Sequence, residues 1–281
     1  MSETIKLTPE LLRELQLKEL DTLKFFRDFC YKNNLTFYLC GGCCIGSLRT
    51  GGFVPWDDDI DVLMPRPDYE KLVELWKEQN PSERFLLLKT DDETFTGNIF
   101  VTITDTNYTM IKDNQRNIDI PHGLVLDVFP IDGCPNGKLK RYMQYFWTMI
   151  YSLFMAQVVP KNHGKLLSFG SNLLLNMLRK PKIRTKIWKY AEKKMSKYDF
   201  YKSDYVTELC AGPHFMTYKY PARIYSGTTE VEFEGLKMPI MSGYDEYLTI
   251  VFGDYIKEPP KEKQVPHHDI AYIDLNTPCK K

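Results

Sequence analysis

Between Gly51 and Arg66 the chain reads GGFVPWDDDIDVLMPR, with four carboxylates inside five residues and apolar side chains close on both flanks. Ile60, Val62 and Leu63 give the segment the character of a buried strand that carries its acids into the protein. Alternate side chains of a strand share a face. Asp57, Asp59 and Asp61 are therefore expected on one side, and Asp58, Ile60 and Val62 on the other. Like charges held that close repel unless a cation lies between them. A hard divalent ion with oxygen ligands, Mg²⁺ or Mn²⁺, is the natural counter-charge. The simpler alternative is a polar turn whose acids are solvated.

The residues ahead of the acids sharpen this expectation. Leu35–Cys40 (LTFYLC) reads as a strand ending at Gly41-Gly42, and Cys43–Leu48 (CCIGSL) as a short helical turn. A strand that ends in two glycines and opens a helix offers bare backbone N–H groups to an anion. Ser47 adds a hydroxyl and Arg49 a fixed positive fork. Gly41, Gly42, Ser47 and Arg49 are thus expected to cradle phosphate beside the acids. A third acid lies in Gly123–Asp132 (GLVLDVFPID), where Leu124, Leu126 and Val128 share one face and Asp127 shares the other with Val125 and Phe129. A carboxylate buried there needs a partner. Either a core Arg or Lys pairs with it, or Asp127 is a third acid at the metal, as ligand or general base.

The block FYLCGGCCIGSLRTGGFVPWDDDIDVLMPRPDYEKL resembles the signature of the LicD family of phosphotransferases, kin to fukutin and fukutin-related protein. GLVLDVFPIDGCP and the closing stretch FEGLKMPIMSGYDEYLTIVFGDYIKEPPKEKQVPHH resemble further blocks of that family. The resemblance implies a nucleotidyltransferase-like fold, a metal pair at Asp59 and Asp61, and a third acid at Asp127. It also implies a CDP-linked donor and a cell-surface glycan acceptor, in some cases lipid-linked. Bacterial members transfer phosphocholine from CDP-choline, and eukaryotic relatives transfer ribitol phosphate from CDP-ribitol. Cys43-Cys44 and Thr50 depart from the family's usual residues at positions expected to line the donor pocket.

Net charge is zero, with 37 basic and 37 acidic residues, which gives no general attraction to nucleic acid. The seven cysteines lack the paired spacing of a zinc site and read as reduced thiols of a cytoplasmic protein. No apolar signal region opens the chain at MSETIKLTPE.

Thr8-Pro9-Glu10 opens a long helix with Leu12, Leu15, Leu23, Phe26 and Cys30 on one stripe, ending at Asn33-Asn34. A second helix begins near Pro67. Phe85–Leu88 and Phe100–Thr104 read as strands, and Asp113–His122 as a polar loop. Residues 142–160 hold no charge, and a basic amphipathic segment follows. Three readings stand: a membrane span, helices lying at the inner face of a membrane, or helices packed on the core. Val231–Pro239 reads as a hairpin turning at Glu234-Gly235, and Tyr244–Phe252 as a helix stopped by Gly253. His267-His268 follow a proline-rich turn in the closing block, and His268 is the favoured site residue.

The sequence therefore points to an α/β (α+β) fold, a nucleotidyltransferase-like mixed sheet forming a single domain over 1–281 with a helical insertion at about 138–200. The expected reaction is transfer of a phosphocholine-type group from a CDP-linked donor to a glycan hydroxyl, releasing CMP. Asp59, Asp61 and Asp127 are the expected catalytic, metal-holding acids. Trp56, beside them, is the aromatic face for a choline-type cation, and no nucleic acid is expected as partner. The alternatives are a nucleotidyltransferase moving the nucleotide itself, a CDP-ribitol or CDP-glycerol transferase, and an inactive membrane-associated scaffold.

Overall fold

The computed structural model describes residues 4–157 and 165–280, with side chains from 170 onward in the second stretch. Helix α1 (Pro9–Lys32) starts where Thr8 Oγ1 accepts the Leu11 N–H and ends at Asn33; its expected apolar stripe is buried. Strand β1 is only Tyr38–Leu39, shorter than the apolar run suggests. The two glycines that follow belong to helix α2 (Gly41–Arg49), a full helix where a single turn was expected. After it come β2 (Ile60–Pro65), α3 (Arg66–Gln79), β3 (Phe85–Leu88), β4 (Val101–Asp105), β5 (Thr109–Lys112) and β6 (Leu124–Cys134). Three helices follow, α4 (Lys138–Ala156), α5 (Lys165–Met177) and α6 (Pro181–Met195), in the stretch expected to be helical. The chain closes with β7 (Tyr205–Thr207), β8 (Tyr220–Pro221), β9 (Thr228–Phe233), β10 (Leu236–Met241), α7 (Tyr244–Phe252) and β11 (Ile270–Asp274).

The main sheet runs β1-β2-β6-β4-β3, with β7 and then β8 added along the far half of β6. The β2–β6 pair is parallel and the other pairs are antiparallel, so the sheet is mixed as expected. Central strands covered on both faces read as nearly continuous apolar runs, and β2 buries Ile60, Val62, Leu63 and Met64. Phe26 and Phe29 of α1, with Tyr69, Leu72 and Trp76 of α3, pack into the same core as Leu126 and Val128 of β6. A separate apolar cluster joins Tyr151 and Phe154 of α4 to Trp188, Ala191 and Met195 of α6. The β9–β10 hairpin turns at Glu234-Gly235, both with positive φ (50° and 75°), the conformation of a two-residue primed turn that glycine favours.

No helix among the described residues is long and apolar enough to cross a membrane. The last residues of the uncharged 142–160 segment, and Lys161 in the basic flank beyond it, lie outside the described residues.

Candidate active site

The register of the parallel pair sets the site. Asp61 of β2 stands opposite Asp127 of β6, and Asp127 stands opposite Thr102 of β4. The face of β6 made by Leu124, Leu126 and Val128 is fully buried, while Val125 and Phe129, beside Asp127, are only partly so. Oδ1 of Asp61 and Oδ1 of Asp127 are both buried and have no hydrogen-bond partner. Oxygens in that condition are costly unless something positive meets them.

The other acids are placed differently from the expected alternation. The strand begins at Ile60, so the two-sided pattern applies to Asp61 and not to Asp57, Asp58 or Asp59, which occupy the turn before it. Pro55 and Trp56 bend the chain there, and the Asp57 N–H closes the turn onto the Val54 carbonyl at 3.0 Å. Asp57 folds back on α2: a Cβ on Gly42 would lie 1.8 Å from its Oδ2, so only glycine fits. Burial, then repulsion from Asp59 and Asp58, pushes Asp57 up to about 8. Burial likewise raises Asp59 and Asp61, and for Asp61 the charges of Asp59 and Asp127 add to it. The cluster holds more negative charge than its surroundings neutralise.

Asp58 ties this turn to the end of the chain. Its carboxylate accepts the backbone N–H groups of His267 and His268, each at 3.0 Å, and lies 3.2 Å from His268 Nδ1. Burial works against its charge, but the His268 ring and the two N–H groups outweigh this and hold Asp58 below its ordinary value. The His268 ring is also 3.8 Å from Asp59 Oδ2 and, through Nε2, 3.2 Å from Lys112 Nζ. Lys112 in turn stands 3.6 Å from Asp127 Oδ2. His268 thus bridges the acid turn to β5 and β6, whereas His267 meets Asp58 through its backbone.

The phosphate-cradle residues do not converge. Gly41 and Gly42 open α2 beside the acids, with the Cys40 N–H donating to the Asp61 carbonyl at 3.3 Å. Ser47 Oγ donates to the Cys44 carbonyl at 2.7 Å, so its proton is committed inside the helix. Arg49 is eight residues from Gly41 along α2, roughly 12 Å at the helical rise. The helix that presents the glycines carries Ser47 and Arg49 away from them. Trp56 is half-buried directly before the acids.

Two residues that the sequence reading passes over belong to the site. Glu19 on α1 is 1% exposed, and neither carboxylate oxygen has a hydrogen-bond partner. Burial, then Asp59 and Asp58, raises it well above the ordinary range. Its signal in the sequence is a glutamate on the apolar stripe, four residues after Leu15 and four before Leu23. Lys112 leaves no such trace, because it reaches the acids through tertiary pairings of β5, with β11 at Ile270 and, by the Met110 N–H to the His122 carbonyl, with the lead-in to β6. Burial opposes its charge, but Asp127, Asp59, Asp61 and Glu19 outweigh that and raise it.

A clasp completes the arrangement. Glu234, in the hairpin turn, accepts both guanidinium arms of Arg13 at 2.8 and 2.7 Å and the Phe53 N–H at 3.1 Å. Its own N–H donates to the Gly51 carbonyl at 2.7 Å. The segment leading to the acids is thus held by α1 and the hairpin together.

The donor set suits a hard cation: carboxylate oxygens, among them the orphaned Oδ1 atoms of Asp61 and Asp127, in a surplus of negative charge. Among the described residues no three His, Cys, Asp or Glu side chains are yet gathered at ligand geometry. Lys112 is the positive group nearest Asp127.

Comparison with known proteins places the chain among relatives. A family model described as LicD/FKTN/FKRP, nucleotidyltransferase domain, matches residues 34–134, from ahead of β1 to the end of β6. Over 273 residues the chain is 32% identical to the lipopolysaccharide cholinephosphotransferase LicD of Haemophilus influenzae, covering 93% of this chain and 98% of that protein. Over 122 residues it is 25% identical to mannosyltransferase regulator 4 of Saccharomyces cerevisiae, covering 41% of this chain and 10% of the yeast protein.

Proposed function

The chain belongs to the LicD family, and on that premise we propose that it moves a phosphocholine-type group from a CDP-linked donor to a hydroxyl of a cell-surface glycan, releasing CMP. The observation that carries the reading is the pair of partnerless oxygens, Asp61 Oδ1 and Asp127 Oδ1, at matched positions of two parallel strands. The Haemophilus relative, named for cholinephosphate transfer to lipopolysaccharide, supports the choice of group and acceptor class.

In this reading Asp59 and Asp61 would hold Mg²⁺ or Mn²⁺, with Asp127 completing the set, and the ion would supply positive charge to offset the donor diphosphate. The remaining work falls to the chain's own groups. The N–H groups of Gly41 and Gly42 receive a phosphate oxygen at the start of α2. Trp56 offers its face to a quaternary ammonium. His268, fixed by Asp58, closes the opposite side, and Lys112 brings positive charge to the donor. The acceptor oxygen bonds to the β-phosphorus as that phosphorus parts from the CMP oxygen, which leaves with the electron pair. The hydroxyl proton passes to Asp127. No covalent intermediate is needed, since positioning and electrostatics suffice for such a transfer.

The test is a labelled transfer assay with CDP-choline, CDP-ribitol and CDP-glycerol, in which the released nucleotide is identified. Choline label in the glycan with CMP released is the expected result. Free phosphocholine as product, with the CMP group left on the acceptor, would mean nucleotidyl transfer instead. Faster turnover of CDP-ribitol or CDP-glycerol would overturn the choline assignment, and no turnover of any donor would favour a scaffold.

A further inference from the structure

Residues 138–197 hold 14 Lys or Arg against one acid, Glu192, in a chain whose charges otherwise cancel. The remaining residues therefore carry a matching negative excess. Lys189 pairs with Asp92 at 3.2 Å, and the positive excess that remains favours an anionic counterpart.

The same helices turn apolar side chains outward. Leu139, Tyr142, Met143 and Phe146 of α4 fall at one-face spacing and are exposed by 77, 68, 45 and 51%. The opposite face buries Gln144, Thr148 and Tyr151. Gln144 fixes this orientation, since its Nε2 donates to the Gly133 and Met195 carbonyls, each at 2.9 Å. The first half of α4 thus turns glutamine and threonine inward and Leu, Met and Phe outward, the inverse of a helix whose polar face meets water, while its second half buries Leu153, Phe154 and Met155 in the usual way. Trp147 extends the face to α6, with ring centroids 5.1 Å from Phe146 and 5.3 Å from Tyr190. Between α4 and α6 lies a groove of about 280 Å³ whose lining includes Met143, Trp147, Tyr190, Lys194 and Lys197. Lys138, Lys140, Lys182 and Lys186 are exposed nearby and form no ion pair among the described residues.

We propose that this face of α4 and α6 docks on an anionic lipid bilayer, with its Tyr, Trp, Leu and Phe side chains at headgroup level and its lysines on lipid phosphates. Amphipathic basic helices bearing aromatics have the composition that lies in a membrane interface. A protein-binding face would be depleted in lysine, and a nucleic-acid face would gain nothing from exposed Leu139 and Phe146. The inference goes beyond the transfer reaction and stands whichever head group the donor carries. β6 runs from Asp127 to Cys134, seven strand rises or about 23 Å, before α4 begins. The surface therefore lies at the end of that strand remote from the acids.

Flotation of the full-length protein with phosphatidylcholine vesicles, with and without phosphatidylglycerol, tests it without reference to activity. Binding is expected only to the anionic vesicles and is expected to fall with added salt. A double substitution of Lys138→Glu and Lys140→Glu is expected to weaken binding at least about 25-fold, at about fivefold per lysine lost. Leu139→Ser with Phe146→Ser should weaken it as well, with thermal midpoints near wild type because all four side chains are exposed. Failure to float at low salt would overturn the proposal. So would undiminished binding by the serine variant, binding that resists both high salt and carbonate, or sedimentation showing a dimer that the serine variant abolishes.

Discussion

Strand β6 carries two buried aspartates five residues apart and treats them in opposite ways. Asp132 is fully buried and receives two hydrogen bonds from Arg66, at 2.7 and 2.8 Å, so each oxygen has a partner. Asp127 is 5% exposed, has Lys112 at 3.6 Å from one oxygen, and leaves the other with none. An odd spacing puts the two on opposite faces of the strand. Asp132 sits on the face that Leu126 and Val128 commit to the core, where a charge persists only if it is matched. Asp127 sits on the face where Asp61 stands beside it, and there a second carboxylate makes the mismatch worse. One aspartate is finished by the protein, and the other awaits something from outside. That difference separates a structural ion pair from a candidate site more clearly than burial alone.

The largest effect that would sharpen this contrast is on turnover. Asp61→Asn and Asp127→Asn are each expected to lower transfer about a thousandfold or more, the equivalent of about 4 kcal/mol. Their urea midpoints should stay at or above wild type, because a repulsion is relieved. A variant keeping about a tenth of wild-type turnover would place the chemistry elsewhere. Asp132→Asn should show the reverse pattern. Leaving Arg66 buried without its partner is expected to cost about 3–5 kcal/mol of stability, with turnover per folded molecule unchanged. Equilibrium unfolding and active-site titration of the two sets together would break the comparison if both behaved alike.

Glu208 gives a pH test of the same idea, a buried acid without a matched cation. It is 3% exposed, its Oε1 has no partner, and burial pushes it up to about 7. Its value in the folded protein is thus above that in the unfolded chain. Its contribution is complete below about pH 4.5 and is lost as pH rises through about 7, a change of about 3 kcal/mol. Stability measured across that window should fall less steeply in Glu208→Gln than in wild type, and equal slopes would contradict the shift. The smallest effect concerns the clasp. Glu234→Gln weakens a partly exposed pair with Arg13, worth about 1 kcal/mol, and salt should narrow the gap between variant and wild type in thermal melts.

Much of this was legible in the sequence because it is local. The Thr8 cap, the α1 stripe, the Glu234-Gly235 turn and the Gly253 stop each depend on neighbours a few residues away. The strand around Asp127 was legible for the same reason, since its Leu124-Leu126-Val128 alternation is written in place. What was not legible is long-range. The Asp58–His268 tie spans 210 residues, and Lys112 reaches the acids through the tertiary pairings of β5. Strand β2 starts later than the alternation of its acids predicts because Gly42 leaves room for Asp57 to fold back, a tertiary contact rather than a strand pattern. Glu19 left a signal, a charge on an apolar stripe, but without its neighbours it cannot be told from a helix edge.

The central claim, that the Asp61–Asp127 end of the β2–β6 pair receives a cation and the Asp132 end does not, is tested most directly by Mn²⁺ binding. Titration followed by electron paramagnetic resonance, in the presence of CDP-choline, compares wild type with Asp61→Asn, Asp127→Asn and Asp132→Asn. The account predicts one ion bound by wild type and by folded Asp132→Asn with equal affinity, and affinity weakened about a hundredfold or more in the other two. Equal binding by wild type and Asp127→Asn, or no binding by wild type, would contradict it.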